Sequence, residues 1–299
     1  MDKKAIVKLN GGLGNQMFQY AFAYATSRRF HLETFFDFSF FEDVKLVDSV
    51  TNRDFELHSF NIECKEVSKE DLKKVIFSKK QSKLKIFLWK KLNVNAFIPS
   101  GNNYIQKDAY EFDNMLLKVP FAYYNGYFQN EKYFKDYRSE LVECFSLKDE
   151  LDEKNKKALE EIKNTNSVSL HVRRGDYVNL ESAKKIHGIC LLDYYEKAIG
   201  HICKNVQDPH FYIFSDDIEW VKENIKIDAP VKIIDFNLQK GWLDLNLMKN
   251  CKHNIIANSS FSWWGAWLNQ NEEKIVVCPK KWTKLAFKNS LALKEWIKF

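Results

Sequence analysis

The second half of the chain alternates short apolar, β-rich runs with longer stretches of mixed polarity. Runs at 168–172, 211–214, 231–234, 254–257 and 275–278 are each four or five residues long, and the intervals between them are long enough for helices. That alternation predicts a parallel sheet built from βαβ units, an α/β fold. A polar stretch at 147–163 sets Leu151, Ala158, Leu159 and Ile162 among charges and predicts a surface helix. A boundary near its start gives two domains, 1–148 and 149–299, the prior for a chain of this length. The last segment is read as a helix able to pack back on the first domain.

The first half opens with a strand at 5–9, then Asn10-Gly11-Gly12-Leu13-Gly14-Asn15-Gln16, then a largely apolar helix at 17–28. Glycines permit a tight turn, and a helix N-terminus presents free amides to an anion. The turn is nevertheless not a dinucleotide fingerprint, because Gly12-Leu13-Gly14-Asn15-Gln16-Met17 lacks the last glycine. No Gly-Lys-Ser/Thr follows for a P-loop. A second strand at 34–36 ends on Asp37. Between about 63 and 93 lysines and helix formers dominate, including Lys79, Lys80, Lys83, Lys90 and Lys91. A solvated helical face is the expectation there, compatible with a peripheral membrane contact.

Composition narrows the partners. The 299 residues are 45% hydrophobic and 15% aromatic, enough for substantial cores, and 46 basic against 40 acidic residues leave a formal charge of +6. That mild excess suits an anionic ligand or a membrane surface and falls short of a nucleic-acid signature. No 18 apolar residues run together and the start lacks a secretion signal, so a soluble, cytoplasmic chain is expected. None of the six cysteines forms a Cys-x-x-Cys pair, and reduced thiols fit a cytoplasmic setting. His187 with Cys190, and His201 with Cys203, have no second ligand pair at suitable spacing, so no metal is expected.

The chemistry concentrates in Ser169-Leu170-His171-Val172-Arg173-Arg174-Gly175-Asp176-Tyr177, where an apolar strand ends in two arginines. A guanidinium is a permanent charge with a planar fork of donors that matches phosphate oxygens, and open α/β sheets bind ligands at such strand ends. A surface ion pair with Asp176 is the competing reading. Further on, a helical stretch at 244–253 leads into the strand at 254–257. Asn258-Ser259-Ser260-Phe261-Ser262-Trp263-Trp264-Gly265-Ala266-Trp267 follows directly, placing hydroxyls at a strand-to-helix junction. Such hydroxyls can meet a phosphate over a helix N-terminus, or simply cap the helix.

Taken in order, residues 11–20, 125–129, 171–177 and 244–267 resemble the α-1,2-fucosyltransferases of bacterial surface-glycan pathways, glycosyltransferase family 11. The resemblance implies a GT-B-like architecture, two Rossmann-like domains facing a central cleft. It implies GDP-fucose as donor and no separate cofactor. The implied acceptor is a galactose-terminated oligosaccharide or lipid-linked glycan, and the implied product is a Fuc-α1,2-Gal linkage formed with inversion during surface-glycan or O-antigen synthesis. On the same basis Arg173 looks like the grip on the donor pyrophosphate, with Arg174 holding the loop. His171 and Asp244 look like guanine or ribose contacts, and Ser259 and Ser260 like phosphate donors. Phe261 and Gly14 complete the donor set. Asn15 and Gln16 are expected to meet sugar hydroxyls, and Tyr127, with Tyr124 and Phe128, to offer flat faces to a pyranose, with core packing the competing assignment for each of these aromatics. For the base that inversion calls for, Asp176, Glu181 and Asp37 remain alternatives, as does a weak or absent base.

Overall fold

Ala5, Ile6 and Val7 are buried on both faces of their strand, the near-continuous apolar run that a parallel sheet covered on both sides requires. In the computed structural model, residues 4–43, 53–76, 103–175, 190–283 and 291–299 are described. The chain divides into two units, Met1–Phe145 and Ser146–Phe299.

Unit 1 contains β1 (Lys4–Lys8), α1 (Leu13–Phe30), β2 (Glu33–Asp37), α2 (Ser39–Asp43), α3 (Lys69–Ile76), β3 (Asn103–Ile105), β4 (Tyr123–Asn125) and α4 (Arg138–Cys144). Its four strands are all parallel in the order β2-β1-β4-β3. Of the lysine-rich stretch, the helix α3 is described and 77–102 lie outside the described residues. Gly11 has φ +76, a left-handed conformation that favours glycine, and Gly12 is extended, so α1 begins at Leu13 rather than at Met17. Most of its circumference is buried, as an apolar helix demands. Its Phe22 stacks on Phe128 at 3.9 Å between ring centres and meets Tyr124 edge-on at 5.1 Å. Tyr124 and Phe128 are both fully buried. Of the two readings open for them, core packing holds rather than a face for a sugar.

Unit 2 contains α5 (Glu153–Lys163), β5 (Asn166–Val172), α6 (Leu192–Asn205), β6 (Pro209–Ser215), α7 (Ile218–Asn224), β7 (Val231–Ile234), α8 (Gly241–Asn250), β8 (His253–Ile255), α9 (Ser260–Leu268), β9 (Val276–Cys278) and β10 (Ile297–Lys298). All six strands are parallel in the order β10-β9-β8-β5-β6-β7. The five expected strands are β5 to β9. The expected last helix is absent from the described C-terminal residues: β10 instead adds an edge strand beside β9.

Period-two alternation along β5 sorts its side chains. Val168, Leu170 and Val172 pack with Tyr195, Ala198 and Ile202 of α6 and with Val221 of α7. The opposite face of the sheet packs Tyr212, Phe214 and Ile234 against Ala158 and Ile162 of α5 and Leu247 and Met248 of α8. Helices α8 and α9 approach closely at Gly265, where a Cβ would lie 3.2 Å from Met248 Cβ. Behind them Trp263, fully buried, lies near-parallel to Trp267 and edge-on to Trp264, and its Nε1 donates to the Leu291 carbonyl at 2.8 Å. No described helix is long and apolar enough to cross a membrane.

Chain order against spatial order locates the crevices. From β5 the chain moves to one side through β6 and β7, then returns to the other side through β8, β9 and β10. The order reverses between β5 and β8, the topological switch point where open α/β sheets bind ligands beyond their carboxyl ends. By the same rule unit 1 switches between β1 and β4.

Candidate active site

Both motifs of the second domain end at the unit 2 switch point. Arg173 follows β5, and Ser259 caps α9 just past β8, with Leu170 and Ile255 paired between the two strands. The Ser259 hydroxyl accepts from the Phe261 amide at 3.3 Å, and Ser260 opens the helix. His171 is buried, with its ring 5.4 Å from that of Phe261. Burial, helped by Arg173 and opposed by Asp216, pushes its pKa down to about 4, so the imidazole is neutral at pH 7. Its Nδ1 is buried with no hydrogen-bond partner among the described residues. A neutral imidazole with an unmatched nitrogen can still bond a ligand.

A carboxylate absent from the sequence reading organises the arginines. Arg173 Nη1 lies 2.9 Å from Asp216 Oδ2, while Arg174 N donates to Asp216 Oδ1 at 2.8 Å and Gly175 N to Oδ2 at 3.0 Å. A Cβ on Gly175 would lie 2.7 Å from that carboxylate, so glycine is needed for the approach. Arg174 pairs through Nε with Asp217 Oδ2 at 3.1 Å and lies 4.0 Å from the centre of the Trp220 ring. Among the described residues its ion-pair partner is therefore Asp217, and the pair holds the loop as expected of Arg174. Asp176 and Glu181 lie outside the described residues. The missed signal was Ser215-Asp216-Asp217, which ends the neighbouring strand as the arginines end β5.

Asp244 stands in the first turn of α8, reached from the carboxyl end of β7. Asn237 Nδ2 donates to its Oδ1 at 2.7 Å, and Asn237 exchanges amide hydrogen bonds with Asn155 at 2.8 and 3.1 Å. Burial raises the Asp244 pKa from 3.8 to about 6, against the pull of Asn237. The folded state therefore holds this proton more tightly than the unfolded chain. The resulting stability is present below about pH 4 and is lost as pH rises through about 6. Melting curves across that range are expected to be flatter for Asp244→Asn than for the wild type; parallel curves would refute this.

In unit 1, Asn15 accepts from Gln129 Nε2 at 2.7 Å through Oδ1, and Tyr127 is about one third exposed, at 37%. Gly14 is buried in the first turn of α1. Gln16 is fully buried: its Nε2 donates to the carbonyls of Gly11 and Asp54, each at 2.8 Å, and its Oε1 accepts from Glu56 N at 3.0 Å. With its amide engaged inside the fold, Gln16 holds the turn and is corrected from an acceptor contact to a structural residue. Asp37 is 2% exposed and both of its oxygens are taken, by the Tyr123 hydroxyl at 2.7 Å and by Ser39 N at 2.9 Å. That arrangement fits a structural role rather than a base.

The family model for glycosyl transferase family 11 matches residues 2–299. The O-antigen biosynthesis glycosyltransferase WbnK of Escherichia coli is 36% identical over 97% of this chain and 98% of its own. An alpha-1,2-colitosyltransferase of Escherichia coli is 34% identical over 98% of each. The galactoside alpha-(1,2)-fucosyltransferase 2 of Oryctolagus cuniculus is 26% identical over 65% of this chain and 58% of its own. Two α/β units with parallel sheets, a paired arginine at a switch point and a family match along the whole length lead to one statement: the chain belongs to glycosyl transferase family 11.

Proposed function

We propose that this glycosyltransferase moves L-fucose from GDP-fucose to the 2-hydroxyl of a terminal β-galactoside, with inversion, in surface-glycan assembly. The observation that carries the reading is that Arg173 follows β5 and α9 begins just past β8, the two strands paired at the switch point. Breaking the bond between fucose and phosphate leaves added charge on the β-phosphate. A guanidinium and a ring of helix amides stabilise that charge as it forms. Ser259 and Ser260 add hydroxyl donors, Phe261 flanks the site, and Gly14 is the donor contact assigned in unit 1. His171 and Asp244 serve the nucleoside, and Asn15 and Tyr127 the acceptor. The enzyme works in the cytoplasm at the inner membrane, where a lipid-linked glycan is presented.

Arg173 takes the part that a divalent ion plays in other glycosyl transfers. Turnover is accordingly expected to be the same in EDTA as in added magnesium; a drop of about tenfold on chelation, restored by metal, would sink this part of the reading.

The colitosyltransferase relative favours a second reading, with colitose in place of fucose. The decisive test offers GDP-fucose and GDP-colitose separately with lactose and determines the product linkage by NMR. Fucosyl transfer to the galactose 2-hydroxyl is the expected result. Release of GDP from GDP-colitose alone would change the donor.

A further inference from the structure

Four side chains of unit 2 form one hydrogen-bonded line that ends on Asp244. Asp152, the N-cap of α5, accepts Asn155 Nδ2 on Oδ1 at 3.0 Å and on Oδ2 at 3.1 Å. Asn155 Nδ2 also donates to Asn237 Oδ1 at 2.8 Å, and Asn237 Nδ2 returns a bond to Asn155 Oδ1 at 3.1 Å. The other Asn237 N–H goes to Asp244 Oδ1 at 2.7 Å. The Asn155 backbone and side-chain amides hold the Asp152 carboxyl below the ordinary aspartate range, and an ionised carboxylate only accepts. Asp152 therefore fixes which end of the Asn155 amide faces it. The Asn155 oxygen is turned to Asn237, whose nitrogen must then serve both Asn155 and Asp244. With Asn155 0% and Asn237 4% exposed, a flipped amide would leave buried groups unmatched, so the line has one arrangement. Capping α5 needs only the Asn155 backbone amide, which Asp152 accepts at 2.9 Å; the side-chain line beyond it serves its other end. There, Asp244 Oδ2 accepts no hydrogen bond among the described residues.

Resting on the donor reading above, in which Asp244 serves the nucleoside, we infer that Asn155 and Asn237 are positioning residues for nucleotide binding. They fill Asp244 Oδ1, fix the carboxylate, and leave Oδ2 as the acceptor for an N–H or O–H of the nucleoside. Asp244 accepts only while ionised, and protonation turns an acceptor into a donor. Burial raises its carboxyl to about 6, and the Asn237 bond pulls it down. The charged groups along the line are Asp152 and Lys240, the N-cap of α8, which draws Asp152 down. Helix α9, packed against α8, carries no charged residue. Among the described residues the Asp244 carboxyl answers to burial and to Asn237, so loss of Asn237 raises it further.

In calorimetric GDP titrations, wild-type affinity is expected to decline as pH falls through about 6. Asn237→Ala is expected to bind GDP on the order of tenfold more weakly at pH 7 and to move that decline to higher pH. Asn237→Gln, with its amide on a longer arm, is expected to recover part of both. A double-mutant cycle separates positioning from a merely structural role: in an Asp244→Ala background the Asn237→Ala loss should disappear, whereas full additivity overturns the inference. Asn237→Ala affinity within about threefold of the wild type, with the decline unmoved, overturns it as well. Where Asn237→Ala does not fold, Asn237→Gln decides: a moved decline supports the inference, and a wild-type profile overturns it. Repeating the titrations with 2′,3′-dideoxy-GDP finds the partner. An Asn237→Ala loss that persists assigns Oδ2 to the base, one that vanishes assigns it to the ribose, and either supports positioning. A wild type that does not bind GDP, or binds it no better than Asp244→Ala does, removes the nucleoside reading and the inference with it. An Asp244 effect without an Asn237 effect overturns the positioning role alone.

Discussion

Arg173→Ala is expected to lower transfer on the order of 10³-fold, the scale seen when a preorganised donor to a developing oxyanion is removed. The loss has two sources. The substitution deletes a charge-assisted fork from the leaving phosphate, and it strips Asp216 of the guanidinium 2.9 Å away. That carboxylate keeps its two amide donors, Arg174 N and Gly175 N, so it stays in place as an uncompensated negative charge at the proposed diphosphate site. Removing Asp216 as well is therefore expected to restore part of the GDP affinity lost in Arg173→Ala without restoring kcat. Arg173→Lys keeps the charge and loses the fork, and should fall between. Steady-state kinetics with calorimetric GDP titration separate these terms. Wild-type turnover and GDP affinity in Arg173→Ala would remove the phosphate assignment altogether.

The second large effect falls on stability. Trp263→Ala is expected to cost about 3–5 kcal/mol, as large-to-small changes at fully buried aromatic positions do. The side chain is fully buried, lies against Trp264 and Trp267, and approaches Trp296 at 5.9 Å between ring centres. The Leu291 carbonyl would lose its indole donor, and such an unmatched acceptor adds to the cost. A fall in Tm of roughly 10 °C follows for a domain of this size. Trp263→Phe keeps most of the packing and loses the donor, so its fall should be smaller. On the proposed donor site, GDP protection of the melt is expected to weaken along with it, because Trp263 lies one turn inside α9, the helix whose N-terminus is proposed to take the phosphate. An alanine variant melting within about 2 °C of the wild type would refute the packing account.

What the sequence made legible was local. Apolar runs of four or five residues marked β5 to β9, and the Gly11-Gly12 turn marked the entry to α1. The arginines stood out because charged residues closing an apolar strand are chemically conspicuous. What escaped depends on strand order. Asp216 and Asp217 matter because β6 lies beside β5, which places their carboxylates against arginines more than 40 positions earlier. The cap made by Glu56 and the structural role of Gln16 escaped for a similar reason, since one caps a helix 43 positions before it and the other clamps that loop. For Tyr124 and Phe128 two readings stayed open, because an aromatic suits a core and a sugar face equally well. Strand β10 is two residues long, too short for any periodicity to register.

The pairing that builds the unit 2 switch point is highly non-local. Strands β5 and β8 are bridged by Asn254 Nδ2 donating to Ser169 Oγ at 2.7 Å, across 85 positions. Closing so long a loop carries an entropic cost that nearby helices and strand neighbours do not face, and long-range parallel pairings form slowly. Helices and the β5–β6–β7 edge can assemble well before the two halves of the crevice meet. On the proposed reading, competence to bind nucleotide is thus among the last properties this chain acquires as it folds, and the nucleotide would trap the finished sheet rather than template its beginnings.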